Sequence, residues 1–262
     1  MIKKIVVTSG KGGSGKTTVT ANLGKMLSDL GFRVVLIDID FGLNNLDVVL
    51  GVENVVMYDL LDVLEGRCRI KQALIQDKKH NNLFILPSCR VSVDSVITGQ
   101  NLKLLIEGVS AYFDYCLIDC PAGIDVGFHR AVSFADQAIV VTTPALTSIR
   151  DADKVINILK SYKLEKVGVV VNRARGDLLL SGKMLYPFDI KEMLNCDLVG
   201  VLPEEDSVFL SIGYELPKKS ESYKAYSILA KNLTQNKNTI YDSTKKYSGF
   251  FGSIKRSIKS SV

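Results

Sequence analysis

Residues Gly10 to Thr17 read GKGGSGKT and fit the spacing GxxxxGK[ST], after the apolar run KIVVTS and before a segment with apolar residues at helical spacing through Val19, Leu23, Met26, Leu27 and Leu30. In that setting Gly10, Gly12, Gly13 and Gly15 let the backbone curl around phosphate groups with its N–H groups turned inward. The helix that follows adds the positive end of its dipole. Lys16 supplies a cation for the β- and γ-phosphates, and the Thr17 hydroxyl is placed to ligate Mg²⁺. Ser14 and Thr18 complete the expected nucleotide contacts. The chemistry open to these residue types is the binding and hydrolysis of ATP with Mg²⁺.

Such a site also needs carboxylates. Asp119 closes the apolar run YCLID and precedes Cys120, Pro121, Ala122 and Gly123, so it is expected at the C-terminal edge of a sheet, where open α/β sheets bind their ligands. It is read as the Mg²⁺ holder, acting through water, with the PAGI turn behind it as a switch that senses the γ-phosphate. Asp38 and Asp40 end VVLIDID at the same edge, and a spacing of two points both to one face if the strand persists. Asn172 and Arg173 follow VVV, where the asparagine amide is able to read the edge of a base.

The elements that must position these groups are short β-branched runs: KIVVTS, VVLID, LFILPS, YCLIDC, QAIVVTT, KVGVVVN and LVGVLP. Continuous apolar runs belong to strands buried on both faces, and helical patterns fill the intervals. The expected fold is α/β, doubly wound, with a mostly parallel sheet of about seven or eight strands and helices on both faces. The composition changes near Asn236 to Asn, Lys, Ser, Thr and Tyr. The expected domains are therefore 1–236, a P-loop ATPase, and 237–262, a basic linker and C-terminal helix.

Lys11, directly after the first glycine, is not required by an ordinary phosphate loop. With it, KGGSGKT resembles the deviant Walker A signature of the MinD/ParA family of dimerising ATPases. The resemblance runs from Lys3 through the tail. It implies that Lys11 crosses a two-fold interface to the nucleotide of a second copy, as an arginine finger does. It also implies that Asp38 lies near the metal, and that Asp40 orients the attacking water as the nearest thing to a catalytic base. LPEEDSV, with Pro203 and Asp206, resembles the family's loop over the adenine ring. FGLNNLD stands where the division-site members commonly show GLRNLD, and Asn44 in place of the arginine puts in question any contact that depends on that charge. TSIRDADKVINIL, with Ser148 as a cap, resembles a stretch where activator and inhibitor partners dock, which makes Asp151 and Asp153 the expected partner residues.

The net charge of +5 is unevenly spread: residues 218–262 hold ten Lys or Arg against Glu221 and Asp242, so the remaining body is net acidic. A basic tail on an acidic body directs the tail toward an anionic partner. Tyr247, Phe250, Phe251, Ile254 and Ile258 fall on one helical stripe of roughly 100°, while Lys255 and Arg256 fall outside it. The pattern reads as an amphipathic helix lying in a headgroup layer, and it resembles the family's C-terminal membrane-targeting helix. Five cysteines without a CxxC pair point to a reduced cytosolic setting. No apolar run approaches the ~18 residues of a membrane span.

The expected protein is thus an ATPase that is cytoplasmic and peripheral on the inner membrane face, homodimeric with ATP. The resemblance adds a MinC-like division inhibitor and a MinE-like activator as partners. A flagellar-number ATPase of the FlhG type would carry a further N-terminal segment. A ParA/Soj-type partition ATPase would need a basic body for DNA, so no nucleic acid is expected. A cluster-bridging iron protein would need cysteines at ligand spacing.

Overall fold

The computed structural model describes residues 2–41, 45–89, 98–249 and 252. Among these residues eight strands make one sheet: β1 (Lys3–Thr8), β2 (Val34–Asp38), β3 (Ile75–Gln76), β4 (Leu83–Leu86), β5 (Tyr115–Asp119), β6 (Gln137–Thr142), β7 (Lys166–Ala174) and β8 (Asp197–Pro203). Their order is β3-β4-β2-β5-β1-β6-β7-β8. All neighbours are parallel except β3, which runs antiparallel to β4. The seven apolar runs are the seven parallel strands. The two-residue β3 is too short to carry a period, and it closes the sheet edge.

Alternate residues of each strand enter different cores, as the pleat requires. Val6, Val35, Ile37, Cys116, Ile118, Val140 and Val171 face one core with residues of the helices Gly99–Ser110, Val126–Val132, Leu146–Leu159 and Pro187–Leu194. Ile5, Val7, Leu36, Leu117, Ile139 and Val170 face the other, under the helices Lys16–Asp29 and Glu221–Gln235. Gly24 lets the first of these helices lie close on the sheet, because a Cβ there would stand 2.7 Å from Leu36 Cδ2.

This strand order builds the site. β5 lies between β1 and β2, with Asp119 in register with Val7 on one side and Asp38 on the other. The loop after β1 and the carboxylates ending β5 and β2 therefore meet at three consecutive strand ends on the C-terminal edge.

Beyond Asn236, whose left-handed φ of 50° turns the chain back, packing continues. The buried Asn232 amide donates to the Val199 carbonyl (3.0 Å) and to that of Thr239 (2.7 Å), and its oxygen accepts from Thr239 N–H (3.2 Å). The Tyr241 hydroxyl donates to Glu221 Oε2 at 2.6 Å. Ser243 is buried, and both its carbonyl and the Tyr247 ring crowd Gly176, where any Cβ would collide with them. Residues 239–247 thus form a strap on the body, although their polar composition reads as linker.

Away from the site, buried His80 joins three segments. Its Nδ1 lies 2.9 Å from Asp29 at the end of the first helix, and its Nε2 lies 2.8 Å from Glu215. Both ring nitrogens face carboxylates, so the imidazolium is the species that fits. Burial works against that charge, but the hydrogen bond and charge of Glu215, with Asp29 and Asp77, raise the His80 pKa above its ordinary 6.5. The bond to His80, and then Lys25, hold Glu215 down at about 2. A raised histidine contributes stability that is complete below 6.5 and fades as pH rises through its folded value. A depressed glutamate contributes above 4.5 and fades as pH falls toward 2. His80→Ala is therefore expected to cost about 1–2 kcal/mol, since both carboxylates are partly solvated. The loss should be largest between pH 4.5 and 6.5, read as the wild-type-minus-variant difference in urea unfolding across pH. A difference that grows above pH 8 would contradict the charged bridge.

Candidate active site

The phosphate loop has the backbone its glycines require. Gly13 and Gly15 take φ of 79° and 88°, a left-handed region costly for a residue with a Cβ. Gly15 is also the N-cap of the helix Lys16–Asp29, with no side chain satisfying the exposed N–H groups. The Ser14 hydroxyl is buried and has no hydrogen-bond partner. A glycine cradle, an uncapped helix N-terminus and an orphan buried hydroxyl in one loop suit a phosphate chain. Gly10 lies so close to the backbone of Asp151 and Ala152 that a Cβ there would collide with them.

Lys16, 7% exposed, sets its Nζ 3.0 Å from Asp119 Oδ1 and 3.7 Å from Asp40 Oδ2. Burial alone would lower its pKa, but Asp119 and then Asp40 outweigh it and hold the lysine above its ordinary value. The Thr17 hydroxyl donates to Asp119 Oδ2 (2.7 Å), and that of Thr20 donates to Asp119 Oδ1 (3.1 Å). Asp119 is thus fixed by three donors. No sequence pattern marks Thr20: four residues after Lys16 it reads as helix filler, and only the fold brings Asp119 to it. Lys11 is different in kind. Its carbonyl accepts from the Ser9 hydroxyl (3.0 Å), while its ammonium is exposed and has no ion-pair partner among the described residues.

Asp38, expected near the metal, uses both of its oxygens on backbone N–H groups. Its Oδ1 accepts from Asp40 N–H (2.9 Å) and its Oδ2 from Leu46 N–H (3.3 Å), so it clasps the two ends of the loop that follows β2. Burial, and then the Asp119 carboxylate beside it, push its pKa up to about 8. Asp40 is half-buried, and burial raises its pKa too, partly offset by Lys16. It points back at Lys16 from beyond the strand end. Asn44 lies outside the described residues.

Asn172 and Arg173 border a cavity of about 400 Å³ with Gly15, Thr18, Pro203 and Asp206, which brings together every residue expected around the base. Leu202, Glu204, Glu205, Val208, Phe209, Ile212 and Tyr226 also line it. Of these, Phe209, Ile212 and Tyr226 are apolar or aromatic residues outside any motif, whereas Val208 closes LPEEDSV. The Asn172 amide donates to the Ser14 carbonyl (2.8 Å), and its oxygen accepts from Arg173 N–H (2.9 Å). It therefore holds the phosphate loop from the base side, with one N–H left over. Arg173 takes a φ of 58°, unusual for a residue with a side chain.

Asp151 and Asp153 are partly exposed on the helix Leu146–Leu159, and Asp151 pairs with Lys154 at 3.2 Å. Ser148 is not the cap. Ala145 holds that position, and the Ser148 hydroxyl turns back to accept from Thr143 N–H and the Thr142 hydroxyl, each at 3.2 Å. Tyr247, read as the first residue of the apolar stripe, is half-buried in the strap against Gly176. Phe250, Phe251, Ile254, Lys255, Arg256 and Ile258 lie outside the described residues. Cys68, Cys116, Cys120 and Cys196 are free thiols, and no group of His, Cys, Asp or Glu side chains able to hold a metal occurs among the described residues.

A parallel sheet with its phosphate loop after β1, a buried loop lysine and a strand-end aspartate bonded to the loop threonine defines the class as P-loop ATPase. The AAA domain model matches residues 2–168. The septum site-determining protein MinD of Bacillus subtilis is 43% identical over 237 residues, covering 90% of this chain and 88% of that protein. Among solved structures, the MinC:MinD cell division protein complex of Aquifex aeolicus superposes with a TM-score of 0.82 at 43% identity, over 89% of this chain and 96% of the other. MinD of Pyrococcus horikoshii complexed with Mg-ADP gives 0.80 at 32%, over 90% and 97%. The chain belongs to the MinD family of septum site-determining ATPases.

Proposed function

We propose that this chain hydrolyses ATP as a homodimer that cycles on and off an anionic membrane and positions the division site by recruiting a MinC-like inhibitor. The observation that carries the reading is the contrast between the two loop lysines. Lys16 is buried and paired within its own site, whereas Lys11 is exposed beside the same loop, free to reach a second copy. Gly10 to Thr18 would hold the triphosphate, and Asn172, Arg173, Pro203 and Asp206 the base. Thr17 and Asp119 would hold Mg²⁺ with Asp38 beside them, which also keeps the adjoining loop in place. Bound there, Mg²⁺ supplies charge neutralisation at the phosphates. Lys16 would hold the β- and γ-phosphate oxygens, Asp40 would orient the attacking water, and Lys11 of one copy would stabilise the charge developing in the other's site. Turnover is slow until a MinE-like activator completes this arrangement.

Asp151 and Asp153 are the proposed docking residues for the inhibitor or activator, on the helix whose backbone abuts Gly10. The chain would act as a peripheral protein at the inner membrane face; no helix among the described residues is long and apolar enough to cross a membrane. The stripe of Tyr247, Phe250, Phe251, Ile254 and Ile258, with Lys255 and Arg256, would enter the headgroup layer. A buried apolar side chain contributes about 1.5–3 kcal/mol and a cation near an anionic leaflet about 1 kcal/mol, before the cost of ordering the tail. One tail is marginal on those terms. Two tails in one dimer gain about 10²-fold or more from effective concentration.

Co-sedimentation with anionic liposomes tests this, using ATP and ADP with the full chain and with a chain ending at Ser248, which keeps the strap. ATP is expected to raise binding of the full chain by about 10-fold or more, and the shortened chain is expected to stay in the supernatant. Equal binding of the two chains would overturn the role of the tail, and equal binding in ATP and ADP would overturn the cycle.

A further inference from the structure

The strap of residues 239–247 is seated directly behind the base pocket, and the two share their walls. One wall is the end of β7 and the residues after it: Asn172 and Arg173 face the base cavity, while Ala174, Arg175 and Gly176 face the strap. The other is Pro203–Glu205, which borders both spaces. The Glu204 N–H donates to the Ala174 carbonyl at 3.1 Å and ties one wall to the other. On the strap side the fit is close: Gly176 has no room for a Cβ beside Ser243 and Tyr247. Glu205 accepts from Ser222 N–H at 2.9 Å, next to Glu221, which holds the Tyr241 hydroxyl. On the pocket side the left-handed Arg173 is a conformation that persists only where its surroundings determine it.

Walls one residue thick cannot move on one side alone. We propose that the strap is a regulatory element that reads the base pocket: a bound nucleotide fixes Asn172–Arg173 and Pro203–Glu205, and so seats Tyr241 and Tyr247. By thermodynamic reciprocity, loosening the strap weakens nucleotide binding. The inference rests on the nucleotide reading of the pocket, but not on dimers or membranes.

Mg-ADP and the full chain suffice for the test, because neither a second copy nor a vesicle is needed. Amide hydrogen exchange of residues 238–247 is expected to slow by about 5-fold or more on adding ADP, together with that of residues 203–206. Tyr241→Phe removes only the hydroxyl bonded to Glu221, and Tyr247→Ala removes the anchor. Each is expected to weaken ADP binding by about 5-fold or more, while Tyr112→Ala, exposed at the opposite edge of the sheet, leaves it unchanged. The coupling is overturned if ADP protects residues 203–206 but leaves 238–247 unaffected, or if both tyrosine variants bind ADP like the parent. If neither segment responds and no ADP binds, the nucleotide reading itself falls and the coupling with it.

Discussion

Lys16→Met is expected to abolish ATP turnover, with a loss of about 10³-fold or more in kcat/KM, and to destabilise the protein as well. The reason lies in what Lys16 leaves behind. Asp119 and Asp38 are each 1% exposed and sit in register on adjacent strands, with Asp40 just beyond them. Lys16 is the cation within ion-pair distance of Asp119, at 3.0 Å. Breaking a buried pair from one side costs about 3–5 kcal/mol, and the low end applies because the Thr17 and Thr20 hydroxyls still donate to Asp119. Adding Asp119→Asn should then recover part of the lost stability while recovering none of the activity. Calorimetry of the parent, the two single variants and the double variant measures this as a coupling. Strictly additive losses would show that the pair is not the source of the cost.

The contrast between Lys16 and its surroundings also marks how far the site is legible in a linear chain. The phosphate loop is contiguous, so spacing alone finds it. Asp119 and Asp38 end apolar runs, and a parallel sheet sends such ends to one edge. The seven parallel strands are legible as continuous apolar runs, because alternate residues of each strand enter two different cores. Tertiary proximity without a local pattern is what escapes. Thr20 acts through Asp119, 99 positions away in the chain. Phe209, Ile212 and Tyr226 line the base cavity as ordinary apolar residues. Asp38 looks like an open carboxylate until its oxygens are seen to hold Asp40 and Leu46. The strap misleads for a related reason. Its Asn, Ser and Thr composition reads as solvated linker, yet Asn232, Glu221 and Gly176 satisfy and bury it.

Lys11→Ala is expected to leave the folded monomer intact and to remove catalysis. The side chain is exposed and unpaired among the described residues, so its loss should change stability by no more than about 0.5 kcal/mol. It should also leave ADP affinity unchanged. Turnover should fall by about 10³-fold or more, the range of a cation supplied to a phosphoryl-transfer site by a second subunit. A cation that merely helped bind phosphate within its own chain would weaken ADP binding instead. Mixing variants separates the two cases. In a heterodimer of Lys11→Ala with Asp40→Asn, one site keeps its own Asp40 and receives Lys11 from the other chain, so it is complete if the lysine acts across the interface. The other site lacks Asp40 and stays silent. If Lys11 acts within its own chain, each site lacks one of the two groups and neither can turn over. ATPase activity that returns on mixing two inactive proteins therefore places the lysine in trans, and a mixture as inactive as its components places it in cis.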